Sequence, residues 1–135
     1  MMRIANLVKT KALPLSIEVF ETDFKKMVSQ AKMFYDQLGA TSNIVIKIPI
    51  GWSNLQAISL LTKDGIDVNC TCCFTEAQCI LAANAGAPYV SIFAGRLEDI
   101  HGSPCQVITH TREIFNQSGT KCRIIVGSIR NCVDI

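Results

Sequence analysis

The sequence has no block of basic residues, no long apolar run and no glycine-rich phosphate loop, and each absence removes a class of function. Net charge is only +2, spread over 135 residues. Surfaces for nucleic acid or anionic membrane are built from clustered Lys and Arg, so neither partner is expected. No stretch approaches the ~20 apolar residues that span a bilayer. Residues 1–10 carry Arg3 and Lys9 but lack the apolar stretch and small-residue cleavage site of a signal peptide. The expectation is a soluble, cytoplasmic protein whose residues 1–14 form a lead-in segment.

Metal-ligand spacing is missing too, although there are seven cysteines. Cys70, Cys72, Cys73 and Cys79 cluster, while Cys105, Cys122 and Cys132 are scattered. An odd total in apolar, strand-like surroundings argues against a secreted disulfide framework. A zinc site wants paired cysteines at loop spacing with a second pair or histidines to match. Here Cys70 and Cys72 alternate along one strand with Cys73 pointing the other way, and His101 and His110 lie well downstream. Small buried thiols in a reducing compartment are expected, with no metal and no cofactor.

What is present is alternation. Apolar residues make up 49 % of the chain, enough for the core of one domain. Leu15 to Val19 reads as a short strand. Asp23 can cap a helix to Leu38, with Phe24, Met27, Val28, Ala31, Phe34 and Tyr35 at helical spacing and Gly39 ending it. Asn43 to Pro49 is a second strand, followed by a helix capped by Ser53 and stopped at Asp64-Gly65. Ile66 to Cys73 is a third strand, and Thr75 caps the helix Glu76 to Asn84, which Gly86 stops. Tyr89 to Ala94 is a fourth strand. A polar loop leads to a helix over Gln106 to Phe115, and Arg123 to Gly127 is a fifth strand.

Strict β-α alternation implies parallel strands joined by crossovers, in an open doubly wound sheet or a (β/α) barrel. The absent phosphate loop favours the barrel. A closed eight-stranded barrel needs about 200–250 residues, so five βα units amount to a partial TIM-type barrel in residues 1–135.

Within that pattern Lys47 stands out, set in the β-branched run Asn43-Ile44-Val45-Ile46-Lys47-Ile48-Pro49. Such a run suits a strand buried on both faces. A desolvated ammonium sheds its proton more easily, and a neutral amine attacks carbonyl groups. The alternative is a lysine that snorkels to solvent or pairs with a carboxylate. In βα barrels the working groups sit at the C-terminal ends of strands. Those ends carry Glu18, Lys47, Asn69 with Thr71, Ser91 with Arg96, and Ser128 with Arg130, all expected to face one mouth.

The chain resembles the class I transaldolase family, including its small fructose-6-phosphate aldolase-like members. The matching stretches are Ser16-Ile17-Glu18-Val19, Ile46-Lys47-Ile48-Pro49 with Trp52, Gly65 to Thr71, Phe74, Ala77-Gln78 and Ala85-Gly86-Ala87. They continue with Val90 to Arg96, Asp99 and Gly127-Ser128-Ile129-Arg130. The resemblance implies a (β/α)8 barrel and Schiff-base chemistry on sugar phosphates in the pentose phosphate pathway. Lys47 falls at the imine-forming lysine. Glu18 and Thr71 match the pair that holds the catalytic water, Asn69 and Ser91 the groups that bind the dihydroxyacetone unit. Arg96, Ser128 and Arg130 match the phosphate site, where arginine forks suit a phosphate dianion. For each group a bland reading stands beside this one: an ion pair for Glu18, backbone capping for Asn69 and Ser91, solvated surface arginines for Arg96 and Arg130. Phe93 fits the transaldolase branch, since the small aldolases generally carry a tyrosine acid there.

The resemblance also predicts departures. The family's first two strands, the first of which brings an aspartate, have no counterpart before Glu18, and the eighth strand is missing after residue 130. Cys70, Cys72 and Cys73 replace the aliphatic or small residues usual around the fifth barrel strand. A partial barrel leaves two open sheet edges, which invite pairing with another chain, so a homo-oligomer is expected. Transaldolase activity is the first expectation. A fructose-6-phosphate aldolase-like lyase and a truncated, non-catalytic sugar-phosphate-binding remnant are the alternatives.

Overall fold

The computed structural model describes Ile4, Leu7 and residues 13–38 and 43–130. The expected helix stop at Gly39, Cys132 and most of the lead-in segment lie outside these residues. Five strands, β1 (Pro14–Glu18), β2 (Asn43–Pro49), β3 (Val68–Cys73), β4 (Tyr89–Phe93) and β5 (Arg123–Gly127), form one sheet. Between them run α1 (Phe24–Leu38), α2 (Trp52–Lys63), α3 (Glu76–Asn84), α4 (Ala94–Asp99) and α5 (Pro104–Gln117).

All strands are parallel and their spatial order is their chain order. A doubly wound sheet reverses direction at a switch point. Here the order never reverses, so successive crossovers lay α1, α2, α3 and α5 side by side, each in contact with the next. That progression is the partial (β/α) barrel, with five of the eight strands a closed one requires.

Alternation along the strands explains the two faces. Ile44, Ile46 and Ile48 of β2 are buried in the core between sheet and helices, with Val68, Cys70, Val90 and Ile92 beside them. The helices answer with Met27, Ala31, Phe34, Ala57, Ile58, Leu61, Ala82 and Phe115. Each fully buried aliphatic or phenyl side chain is worth roughly 1.5–3 kcal/mol. Lys47 occupies the opposite parity and so belongs to the inner face.

The caps follow the sequence in two cases out of three. Asp23 Oδ1 accepts the Lys26 N–H at 3.0 Å. Thr75 makes a full capping box with Gln78. Ser53, however, is no cap: Gly51 is the cap residue of α2 and offers no side-chain bond. Asn54 Nδ2 instead donates to the Pro49 carbonyl at 2.9 Å, fastening the β2–α2 turn so that the helix starts one residue before Ser53.

Three further expectations are corrected. β3 begins at Val68 rather than Ile66, because Ile66 still bonds back to α2 through its N–H to the Leu61 carbonyl. The polar loop after β4 contains α4, whose Ala94 and Leu97 are buried but too few to make a readable pattern. Cys73 does not point opposite Cys70. Cys72 adopts φ 60°, and the register steps from Cys70↔Val90 to Cys73↔Ile92, so β3 carries one extra residue. That bulge returns Cys73 to the helix-facing core, where its thiol meets the Cys70 carbonyl at 3.7 Å.

Candidate functional site

The inner face gathers polar residues from the first four strands, but not all at strand ends as expected: Glu18 ends β1 and Lys47 lies near the end of β2, whereas Asn69 is the second residue of β3 and Ser91 the middle one of β4. Register aligns Glu18 with Lys47 and Lys47 with Asn69, and in parallel strands aligned residues share a face. The Lys47 side chain is neither engulfed nor free in solvent. It is 27 % exposed, and its Nζ lies 3.0 Å from Glu18 Oε2, the carboxylate pairing that was the plainer of the two readings.

Beside it the site closes around Phe93. Lys47 Nζ is 6.0 Å from the Phe93 ring centre and the Arg96 guanidinium 5.2 Å, so the ring is the shared neighbour of two cations. Phe74 packs its edge on the same ring at 6.4 Å and 63°, a contact that sequence reasoning did not find.

On the neighbouring strands, Asn69 and Ser91 are both buried, and Ser91 Oγ donates to Asn69 Oδ1 at 2.8 Å. This bond leaves the Asn69 amide N–H groups to face other partners. Thr71 is fully buried, and its Oγ1 has no hydrogen-bond partner among the described residues. A buried hydroxyl without a partner is costly and uncommon. Glu18, Lys47, Asn69, Thr71 and Ser91 therefore share the inner face of the sheet, bonded as the pairs Glu18–Lys47 and Asn69–Ser91.

Arg96, Ser128 and Arg130 assemble differently from the expectation. Arg96 lies in α4, exposed, rather than at a strand end. Ser128 takes φ 61° just after β5, and its carbonyl accepts the Gly95 N–H at 3.2 Å. A Cβ on Gly95 would stand 2.4 Å from that carbonyl oxygen and 2.7 Å from Arg130 Nε, so only glycine permits this approach. Arg130 follows, and both of its Nη groups donate to the two carboxylate oxygens of Asp99. These bonds, with Arg96 adding its charge, hold the Asp99 carboxyl below the usual carboxylate range. Arg130 is thus not an open fork. The sequence offered Asp99 only as a matching residue, with no sign of this pairing.

Cys70, Cys73, Cys79 and Cys122 lie in the core between sheet and helices. Cys70, Cys73, Cys79 and Cys122 are buried, Cys72 is intermediate and Cys105 exposed, all as free thiols. The neighbouring Cys70 and burial push the Cys73 thiol up. Cys73 and burial do the same to Cys79. Burial pushes Cys122 up to about 12. Among the described residues no three His, Cys, Asp or Glu side chains gather as a metal site, and no helix is long and apolar enough to cross a membrane.

Residues 1–135 match the protein family described as Transaldolase/Fructose-6-phosphate aldolase. The chain is 41 % identical over 132 residues to a "Probable transaldolase" of Thermoplasma acidophilum, covering 98 % of this chain and 58 % of that one. It is 40 % identical over 117 residues to a "Probable transaldolase" of Lactiplantibacillus plantarum, covering 87 % and 52 %. A "Probable transaldolase" of Thermoplasma volcanium is 39 % identical over 132 residues, covering 98 % and 58 %. The chain therefore spans a little over half the length of these curated relatives.

Proposed function

The chain belongs to the Transaldolase/Fructose-6-phosphate aldolase family, and from that premise we propose that its site performs transaldolase chemistry through a Schiff base on Lys47. The observation that carries this reading is the Lys47–Glu18 contact at 3.0 Å on the inner face. An amine must lose a proton before it can attack a ketone, and a carboxylate in hydrogen-bond contact is the group able to accept it.

In the proposed reaction Nζ adds to the C2 carbonyl of a ketose phosphate such as fructose 6-phosphate, and water leaves to give an iminium. The C3–C4 bond then breaks, its electron pair passing to the iminium to form an enamine, while the C4 hydroxyl loses its proton. Glu18 takes that proton through a water held with Thr71 Oγ1, a buried hydroxyl with no hydrogen-bond partner among the described residues. The aldose phosphate departs. The enamine then adds to the aldehyde of an acceptor aldose phosphate, and hydrolysis of the new iminium restores Lys47. Asn69 and Ser91 bind the dihydroxyacetone hydroxyls. Arg96, Ser128 and Arg130 receive the phosphate. No cofactor is required, because the iminium itself withdraws the electrons.

Incubation with fructose 6-phosphate followed by borohydride reduction tests the proposal. A mass increase on the Lys47 peptide, absent from Lys47→Arg, is the expected result. A folded sample with no adduct ends the Schiff-base reading and leaves a sugar-phosphate-binding remnant. If an adduct forms, product that depends on erythrose 4-phosphate marks a transferase, and product without an acceptor marks an aldolase. Phe93 favours the transferase, since a phenyl ring has no proton to give the enamine.

β1 and β5 each have one neighbour in the sheet order, leaving two strand edges without a partner among the described residues. Such edges favour pairing with a second copy. Light scattering is expected to show an oligomer, and a clean monomer would remove that part of the proposal.

A further inference from the structure

We infer that Asp99 is a positioning residue for phosphate recognition, acting through Arg130, an inference that rests on the proposed phosphate site. Arg96 and Arg130 come from different segments: Arg96 from α4, Arg130 from the stretch beyond β5. Nothing in the strand ladder fixes Arg130, because β5 ends at Gly127. Among the described residues, two contacts tie that stretch to α4. The Gly95 N–H binds the Ser128 carbonyl at 3.2 Å, and Asp99 takes both Nη groups of Arg130.

The geometry of the second contact has two consequences. A two-point bond between planar groups fixes the orientation of the guanidinium, not merely its distance. Asp99 and Arg96 are three residues apart in α4, one turn of helix, so the anchor for Arg130 stands next to the other phosphate-binding arginine. Asp99 thereby keeps Arg130 beside Arg96 while cancelling one of their two positive charges. The depressed carboxyl pKa, set first by Arg130 and then by Arg96, agrees with a carboxylate shared between them.

The test is titration of the full chain with inorganic phosphate and with fructose 6-phosphate, followed by calorimetry. Asp99→Ala is expected to weaken both ligands about fivefold, and Asp99→Glu to recover part of the loss. In an Arg130→Lys background, which keeps the charge but not the fork, Asp99→Ala is expected to change nothing further. An added loss in that background, with an unchanged melting temperature, would show that Asp99 does not act through Arg130. Tighter phosphate binding by Asp99→Ala would overturn the inference by showing that Asp99 competes for the fork. An unchanged affinity would overturn it as well, while leaving the phosphate site standing. No phosphate binding by the parent chain would remove the site and the inference together.

Discussion

Lys47 and Glu18 are partners twice over, aligned by the β1–β2 register and joined by a 3.0 Å contact between Nζ and Oε2. The backbone alignment means the pairing does not depend on chance side-chain reach. Glu18 is the more exposed of the two, at 46 %. An ion pair of this exposure contributes at most about 1 kcal/mol to stability, so the role proposed for it is proton transfer. Glu18→Gln is expected to leave the urea midpoint nearly unchanged and to slow product formation by about 10²-fold or more. Equal loss of stability and activity would return Glu18 to the role of a structural counter-ion.

Thr71 gives a sharper separation of stability from function. Its hydroxyl is fully buried and has no hydrogen-bond partner among the described residues. Valine has nearly the same shape without the oxygen, so Thr71→Val removes a desolvated polar group and retains the packing. Folding stability is expected to hold or rise by up to ~1 kcal/mol. Turnover is expected to fall, because the hydroxyl proposed to hold the water is gone. A variant less stable than the parent would mean that the hydroxyl is satisfied in solution by a structural bond.

The alternation of strands and helices was legible because apolar periodicity and capping residues such as Asp23 and Thr75 are local signals. Sequential strand order was not written in any one segment, and it took the registers to exclude a switch point. Lys47 was visible because a charge inside a β-branched run is conspicuous, and its partner followed from strand alignment. The extra residue at Cys72 was hidden, since a bulge depends on how a neighbouring strand pairs. So was the Arg130–Asp99 bond, which joins residues 31 apart across the turn after β5. Ser53 misled because Ser before a helix is a common cap, whereas here the Asn54 amide fastens the turn.

Gly95 should be the least replaceable small residue near the site. A Cβ there would fall 2.4 Å from the Ser128 carbonyl oxygen, which is backbone and cannot swing aside. Gly95→Ala is expected to cost roughly 1–3 kcal/mol by overpacking, measured by urea denaturation. Because the same contact seats the stretch carrying Arg130, phosphate affinity should fall with it. A variant with parent-like stability and affinity would show that this stretch does not need α4 to hold its place.

The buried thiols predict a stability loss at alkaline pH. Cysteine in an unfolded chain ionises near pH 8.5, whereas folding pushes Cys122 up to about 12 and pushes Cys73 and Cys79 up as well. The folded form therefore binds more protons than the unfolded form above that unfolded value. Stability from these groups is fully present below about pH 8.5 and is lost as pH rises toward the folded pKa values. Asp99 works in the opposite sense: its lowered pKa contributes stability above the ordinary carboxylate range, lost only on acidification. The urea midpoint should thus fall steadily from about pH 8.5 upward, and replacing Cys122 by alanine should flatten the slope even though the cavity lowers the midpoint overall. Native-state alkylation near pH 8 should mark Cys105 and, more slowly, Cys72 among the described cysteines, sparing Cys70, Cys73, Cys79 and Cys122. Rapid labelling of Cys73 or Cys79 under those conditions would mean that the sheet–helix layer opens, and the alkaline slope would then need another source.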